Sequence, residues 1–203
     1  MVGPWKTPDQ PVVLPDRETF RWDKLRNRPL VMWSGTEFAI VPFQPETMQS
    51  PDAFADFMPE VTDTLLTGVW LVRSGMARTR EDMIIFASKD IQDYRKRAFM
   101  GLRSDGTFVA GASMGSVTSA QLAQALAAAG LLEAVLLDSG FSTSLVYGES
   151  IKAFGHSTRD NPSRPVPHAI VIRGQLDPTT AELAKEPEPK RAEERPRRRR
   201  TRR

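Results

Sequence analysis

The sequence predicts an α+β domain: a twisted, largely antiparallel sheet with one long helix packed on it, followed by a disordered basic C-terminal tail. Three observations carry that expectation. Short apolar runs separated by Ser-Gly and Asp-Gly pairs recur along residues 29–176, and runs of this length bounded by turn residues make antiparallel strands. One segment, Thr118 to Gly130, has both a helix start and a helix stop. Beyond Leu176 apolar residues all but vanish, and KEPEPKRAEERPRRRRTRR cannot bury enough surface to offset chain entropy.

Taken in order, residues 1–28 read as an extended, proline-punctuated lead-in to a domain over 29–176, with the tail over 177–203. Leu30–Trp33 and Phe38–Val41 flank a Ser34-Gly35 turn and predict a hairpin. Ser50 before Pro51 starts a short helix to about Met58, because serine caps free amides and proline tolerates the first helical position. Val69–Val72 and Met83–Phe86 read as strands around Ser74-Gly75, and Ala98–Leu102 with Thr107–Ala110 as a pair around Asp105-Gly106. The long helix spans about Ser119 to Ala129. Thr118 and Gln121 form its capping box, Leu122, Ala125, Leu126 and Ala129 its apolar stripe, and Gly130 its stop. Ala134–Leu137 then reads as a buried strand ending at Asp138, with strands at Ser144–Tyr147, Ile151–Phe154 and Val166–Ile172 after it.

Composition narrows the classes of function. With 203 residues, 40% hydrophobic and 26% charged, the chain is that of an ordinary globular protein, long enough for one real core. The formal charge of +3 is a property of the tail: residues 185–203 carry ten Lys/Arg against four Glu, a net +6 that leaves the preceding residues at −3. Basicity therefore says nothing about the face of the domain. Without cysteine there is no disulfide, thiolate metal site or cysteine nucleophile. Met1–Phe20 lacks the apolar run of a signal peptide, and no stretch of about 18 apolar residues suggests a membrane span.

The stretch Leu137-Asp138-Ser139-Gly140-Phe141-Ser142-Thr143-Ser144-Leu145-Val146-Tyr147 delivers an acid from a buried strand into a run of small residues, whose amides and hydroxyls suit a sugar or a phosphate. Together with Arg97-Ala98-Phe99-Met100-Gly101, the Asp105-Gly106 strand pair, the capped helix and Ser163-Arg164-Pro165-Val166-Pro167-His168-Ala169-Ile170-Val171, this stretch resembles the phosphodiester glycosidase family from about Thr67 to Gly174. That family includes a lysosomal enzyme that uncovers mannose-6-phosphate by removing N-acetylglucosamine, and bacterial proteins linked with exopolysaccharides. The resemblance implies a hydrolase that cleaves a sugar from a sugar-1-phosphate diester. Asp138 would then face an oxocarbenium-like sugar, Arg97 and Arg164 would neutralise the phosphate, and Gly140, Ser142 and Thr143 would hold substrate. The sequence departs from the family at two points: Asp-Gly-Gly is here Asp138-Ser139-Gly140, and residues 1–66 contain no Asn-Gly-Phe motif, as if the front segment were missing. Relatives work mostly outside the cytosol, so localisation stays open.

Other readings stand beside this one. A degenerate module that binds a glycan or polyanion without cleaving it accounts for both departures. Gly111-Ala112-Ser113-Met114-Gly115, followed by Asp138 and His168, fits a nucleophile elbow with serine, acid and histidine in hydrolase order, although the helix cap lies five residues beyond Ser113. The arginine-rich end is suited to polyanion contact. His156 and His168 lack metal-ligand spacing and read as structural. No cofactor is required, and a divalent cation beside Asp138 is compatible with the residues.

Overall fold

The computed structural model describes residues 4–14, 22–86, 89–156, 160–166 and 169–173. Contacts gather Met1–Val166 into one compact unit, and its architecture is α+β with antiparallel sheets and few helices. The basic tail and His168 lie outside the described residues.

Local signals place most elements. Strands β1 (Trp5–Thr7) and β2 (Gln10–Val13) form a hairpin in the segment read as a lead-in. A 3-10 turn, Trp22–Leu25, leads to β3 (Pro29–Trp33) and β4 (Phe38–Pro42), joined through the expected Ser34-Gly35 turn. Helix α1 (Pro51–Phe57) starts at Ser50, whose hydroxyl accepts from the Ala53 amide at 3.3 Å. Next come β5 (Asp63–Leu66), β6 (Trp70–Arg73) and β7 (Met76–Ala77).

Met83–Phe86 is not the expected strand. Residues Arg80–Ile84 form helix α2, because Thr79 and Asp82 close a reciprocal capping box ahead of the apolar run. Only Met83 of that run is buried, while Ile84 and Ile85 face solvent. Strands β8 (Arg97–Arg103) and β9 (Phe108–Ala112) pair as expected. Helix α3 (Ser119–Ala128), β10 (Leu131–Ser139), β11 (Ser144–Tyr147) and β12 (Ser150–Phe154) complete the unit. Val166 and residues 169–173 adopt no regular structure, against the expected strand; the sequence Pro165-Val166-Pro167 explains it, since proline has no amide to give a ladder.

The expectation of one sheet is corrected to two. All pairings are antiparallel, in the orders β2-β1-β5-β3-β4 and β7-β6-β10-β8-β9, with β11-β12 a separate hairpin. The two sheets meet through Val31, Trp70, Met100 and Val135, with Phe38 edge-on to Phe108 at 4.7 Å. Strand alternation then sends Leu30 and Met32 the other way, onto Phe43, Phe54 and Trp22. It likewise sends Ala134 and Leu136 onto α3.

Helix α3 buries Ser119, Leu122, Ala123 and Leu126, while Ala125 and Ala129 are exposed. The stripe is thus rotated from the expected one toward residues spaced three and four apart from Ser119. Its cap is reciprocal, Thr118 Oγ1 accepting from the Gln121 amide at 3.1 Å and Gln121 Oε1 from the Thr118 amide at 3.0 Å. Thr118→Ala should therefore cost about 1 kcal/mol, read as a lower urea midpoint at unchanged m-value. Among the described residues no helix is long and apolar enough to cross a membrane.

Candidate functional site

Strand β10 runs buried through Ala134, Val135 and Leu136 and then surfaces, carrying Asp138 into solvent with 66% of its side chain exposed. The chain turns at once. Ser139 is extended, at φ −132° and ψ 173°, whereas Gly140 takes φ +65°, in the left-handed region that favours glycine. The position at which this sequence departs from Asp-Gly-Gly is therefore one whose backbone any residue adopts. The glycine that the turn requires is present.

Buried anchors hold the loop. The Gly140 amide and the Thr143 hydroxyl both donate to the Lys96 carbonyl, at 2.8 and 3.0 Å. Thr143 is fully buried, so its hydroxyl serves the loop rather than a ligand. The Lys96 ammonium donates to the Phe154 carbonyl at 2.5 Å and lies 4.1 Å from the Phe154 ring centre. Gly155 closes the arrangement: its amide donates to the Thr143 carbonyl at 2.6 Å, and a Cβ at this position would stand 1.7 Å from the Gly140 carbonyl oxygen. Gly155→Ala must push two backbones apart. We expect about 2–3 kcal/mol of destabilisation, measured by thermal unfolding, together with loss of any activity housed in the loop.

Onto this platform comes Arg164. Its amide donates to the Phe141 carbonyl at 2.7 Å, its Nε to Ser142 Oγ at 2.7 Å and its Nη2 to Asp138 Oδ2 at 3.2 Å. The structure thus unites Asp138, Ser142 and Arg164, which are far apart in sequence. A guanidinium has five N–H donors, and these bonds leave both donors of Nη1 for a ligand. Phe141 stands exposed beside the group, its ring 5.4 Å from that of His156.

Arg97 is elsewhere. Its side chain is 1% exposed, with Nε donating to the Val117 carbonyl at 3.0 Å and Nη2 to the carbonyls of Ile91 and Asp93 at 2.8 and 2.6 Å. Its backbone pairs with Ser139 across the β8–β10 ladder, but its guanidinium ties a buried crossing of chain segments together. Arg97 does not join the Asp138 group.

Ser113 is drawn into the same framework. Its hydroxyl accepts from the Arg97 amide at 2.9 Å, and its own amide donates to the Arg97 carbonyl at 2.8 Å. Helix α3 starts only at Ser119, whereas an elbow launches its helix at the nucleophile. The local geometry is that of a strand end. Among the described residues no group of three or more His, Asp or Glu is placed to hold a metal ion.

Lys96 and Gly155 are the contributors that motif reading passed over. Alternation offered a signal for Lys96: in Arg95-Lys96-Arg97, the middle residue of an entering strand faces away from its neighbours.

A model of the phosphodiester glycosidase family matches residues 26–173, so the match begins well before Thr67, where the motifs become readable. Among solved structures, the catalytic domain of zebrafish N-acetylglucosamine-1-phosphodiester alpha-N-acetylglucosaminidase, auto-inhibited by pro-peptide, is similar at 16% identity and a TM-score of 0.55. That alignment covers 76% of this chain and 51% of the other, so this chain spans about half the length of that domain while sharing its fold. A hypothetical protein from Synechocystis aligns at 17% identity and a TM-score of 0.40, over 63% of this chain and 31% of that one. No curated protein matches the sequence.

Proposed function

This chain belongs to the phosphodiester glycosidase family, and from that premise we propose that it hydrolyses a sugar-1-phosphate diester at the sugar carbon, using the Asp138–Ser142–Arg164 group. The observation that carries the reading is the meeting of Asp138 and Arg164 at 3.2 Å on a loop held by buried anchors.

The chemistry follows from the charges. Departure of the phosphate leaves positive charge on the sugar ring carbon, and a carboxylate beside it lowers the energy of that state. The bond between the anomeric carbon and the phosphate oxygen breaks with its electron pair going to the phosphate, while water supplies the hydroxyl to the carbon and its proton to solvent. A phosphate monoester is already a good leaving group, so cationic neutralisation matters more than protonation. Arg164 provides it: the Nη1 N–H groups donate to the phosphate oxygens while Nε stays on Ser142. Gly140 and Ser142 frame the sugar. Arg97 and Thr143, both buried, serve as positioning residues. Glycans built of phosphate-linked sugars, exopolysaccharides included, are the substrate class.

A chromogenic sugar phosphodiester tests this with the full chain. Wild type should turn over, and Arg164→Ala should lose about a hundredfold in kcat/KM; equal rates for the two proteins contradict the role. The exposure of both partners, 59% for Arg164 and 66% for Asp138, also suits a second reading, a surface that holds glycan phosphate without cleaving it. Saturable binding with no turnover by wild type would select that reading.

A further inference from the structure

Asp138 and Arg164 answer the charges of a sugar phosphate, but Gly140 and Ser142 offer the C–H faces of the sugar ring no apolar surface. Phe141 stands between them in the chain. Among the described residues it is the most exposed phenylalanine, at 67% against 49% for Phe57, and it belongs to none of the core clusters. A singly exposed aromatic residue is ordinary on a protein surface. What distinguishes Phe141 is the fixed frame around it.

Residues Gly140–Ser142 form a 3-10 turn, closed by the Thr143 amide donating to the Gly140 carbonyl at 3.0 Å and anchored by the Gly140 amide on the Lys96 carbonyl at 2.8 Å. The Phe141 carbonyl accepts from the Arg164 amide at 2.7 Å, and the next residue, Ser142, accepts from Arg164 Nε at 2.7 Å. The residue with the ring is therefore bonded directly to the residue with the guanidinium. His156 flanks the ring, its centre 5.4 Å away and its plane inclined by 59°, a tilted aromatic contact that restricts the orientations open to an exposed side chain. The His156 amide in turn donates to the Pro162 carbonyl at 3.1 Å, in the segment that leads to Arg164.

We propose that Phe141 is the sugar-recognising residue of this site: its ring takes a C–H face of a pyranose while Arg164 holds the phosphate attached to that pyranose. The inference rests on the reading that places phosphate at Arg164, and adds to it what fixes the sugar. Two forces supply the attraction, dispersion over the area of the ring and the pull of its negative face on C–H bonds polarised by the sugar oxygens. Phe141 thereby selects a phosphate ester of a pyranose over a phosphate ester of a simple alcohol.

The test compares glucose 1-phosphate with methyl phosphate, two esters of equal charge, by titration calorimetry of the full chain at fixed ionic strength. Wild type should bind the sugar ester about tenfold more tightly. Phe141→Ala should erase that preference, weakening glucose 1-phosphate about tenfold and leaving methyl phosphate within about twofold, with a thermal midpoint close to that of wild type because the side chain is exposed. Phe141→Trp should keep the preference, which a general disturbance of the loop would not. Arg164→Ala should weaken both esters alike. Binding needs no turnover, so the same pattern in a chain that hydrolyses neither these esters nor a sugar phosphodiester supports the role of Phe141 while removing the hydrolysis. Equal affinity of wild type for the two esters, or a preference kept by Phe141→Ala, overturns the role of Phe141 and leaves the phosphate at Arg164 standing. No saturable binding of either ester overturns both.

Discussion

Replacing Asp138 with Asn is expected to lower kcat/KM for a sugar phosphodiester by about a thousandfold, equivalent to about 4 kcal/mol of transition-state stabilisation. Asparagine keeps the shape and the oxygen that accepts from the Ser139 amide, a bond of 2.8 Å in the wild type, but removes the charge that faces the developing cation. The fold should not suffer. An ion pair exposed at both ends contributes no more than about 1 kcal/mol, so the unfolding curve should nearly overlay that of wild type. The expected signature is a collapse in kcat with KM little changed, because the substrate's phosphate would still find Arg164. Activity within about threefold of wild type would remove Asp138 from the mechanism.

Arg97→Met should act in the opposite way, on stability first. Three main-chain carbonyls, of Ile91, Asp93 and Val117, accept from the Arg97 guanidinium inside the protein. Ile91 also accepts from the Ser119 hydroxyl at 2.6 Å, so the head of α3 is tied to the same knot. Methionine fills much of the volume but gives no donor, and losing a buried charged partner costs about 3–5 kcal/mol. Against a total of about 5–15 kcal/mol for an ordinary domain, that is a large fraction. Denaturant unfolding should show it as a lower midpoint. Arg97→Lys should recover only part, since one ammonium cannot span carbonyls that a planar guanidinium reaches together. A variant as stable as wild type would mean that the carbonyls find other donors.

What the sequence revealed depended on how local the cause was. Helices α1 and α3 and the β3–β4 and β8–β9 hairpins were readable because caps and turns act within four residues. Helix α2 was legible in principle, but its Thr79–Asp82 box was outweighed by the apolar run after it. The division into two sheets was hidden, since it rests on β1 pairing with β5 and β6 with β10, contacts that no local pattern encodes. At the site, the Asp138 turn could be read from its acid and small residues, and Arg164 from the family resemblance. The surroundings of Arg97 could not, because its acceptors are backbone carbonyls on either side of it in the chain, and carbonyls carry no side-chain signature.

The most direct measurement is hydrolysis of a defined sugar phosphodiester by the full chain in water enriched in oxygen-18, with both products analysed by mass spectrometry. The account predicts label in the new hydroxyl of the released sugar and none in the phosphate monoester. Label in the phosphate would place the cleavage on phosphorus and contradict it.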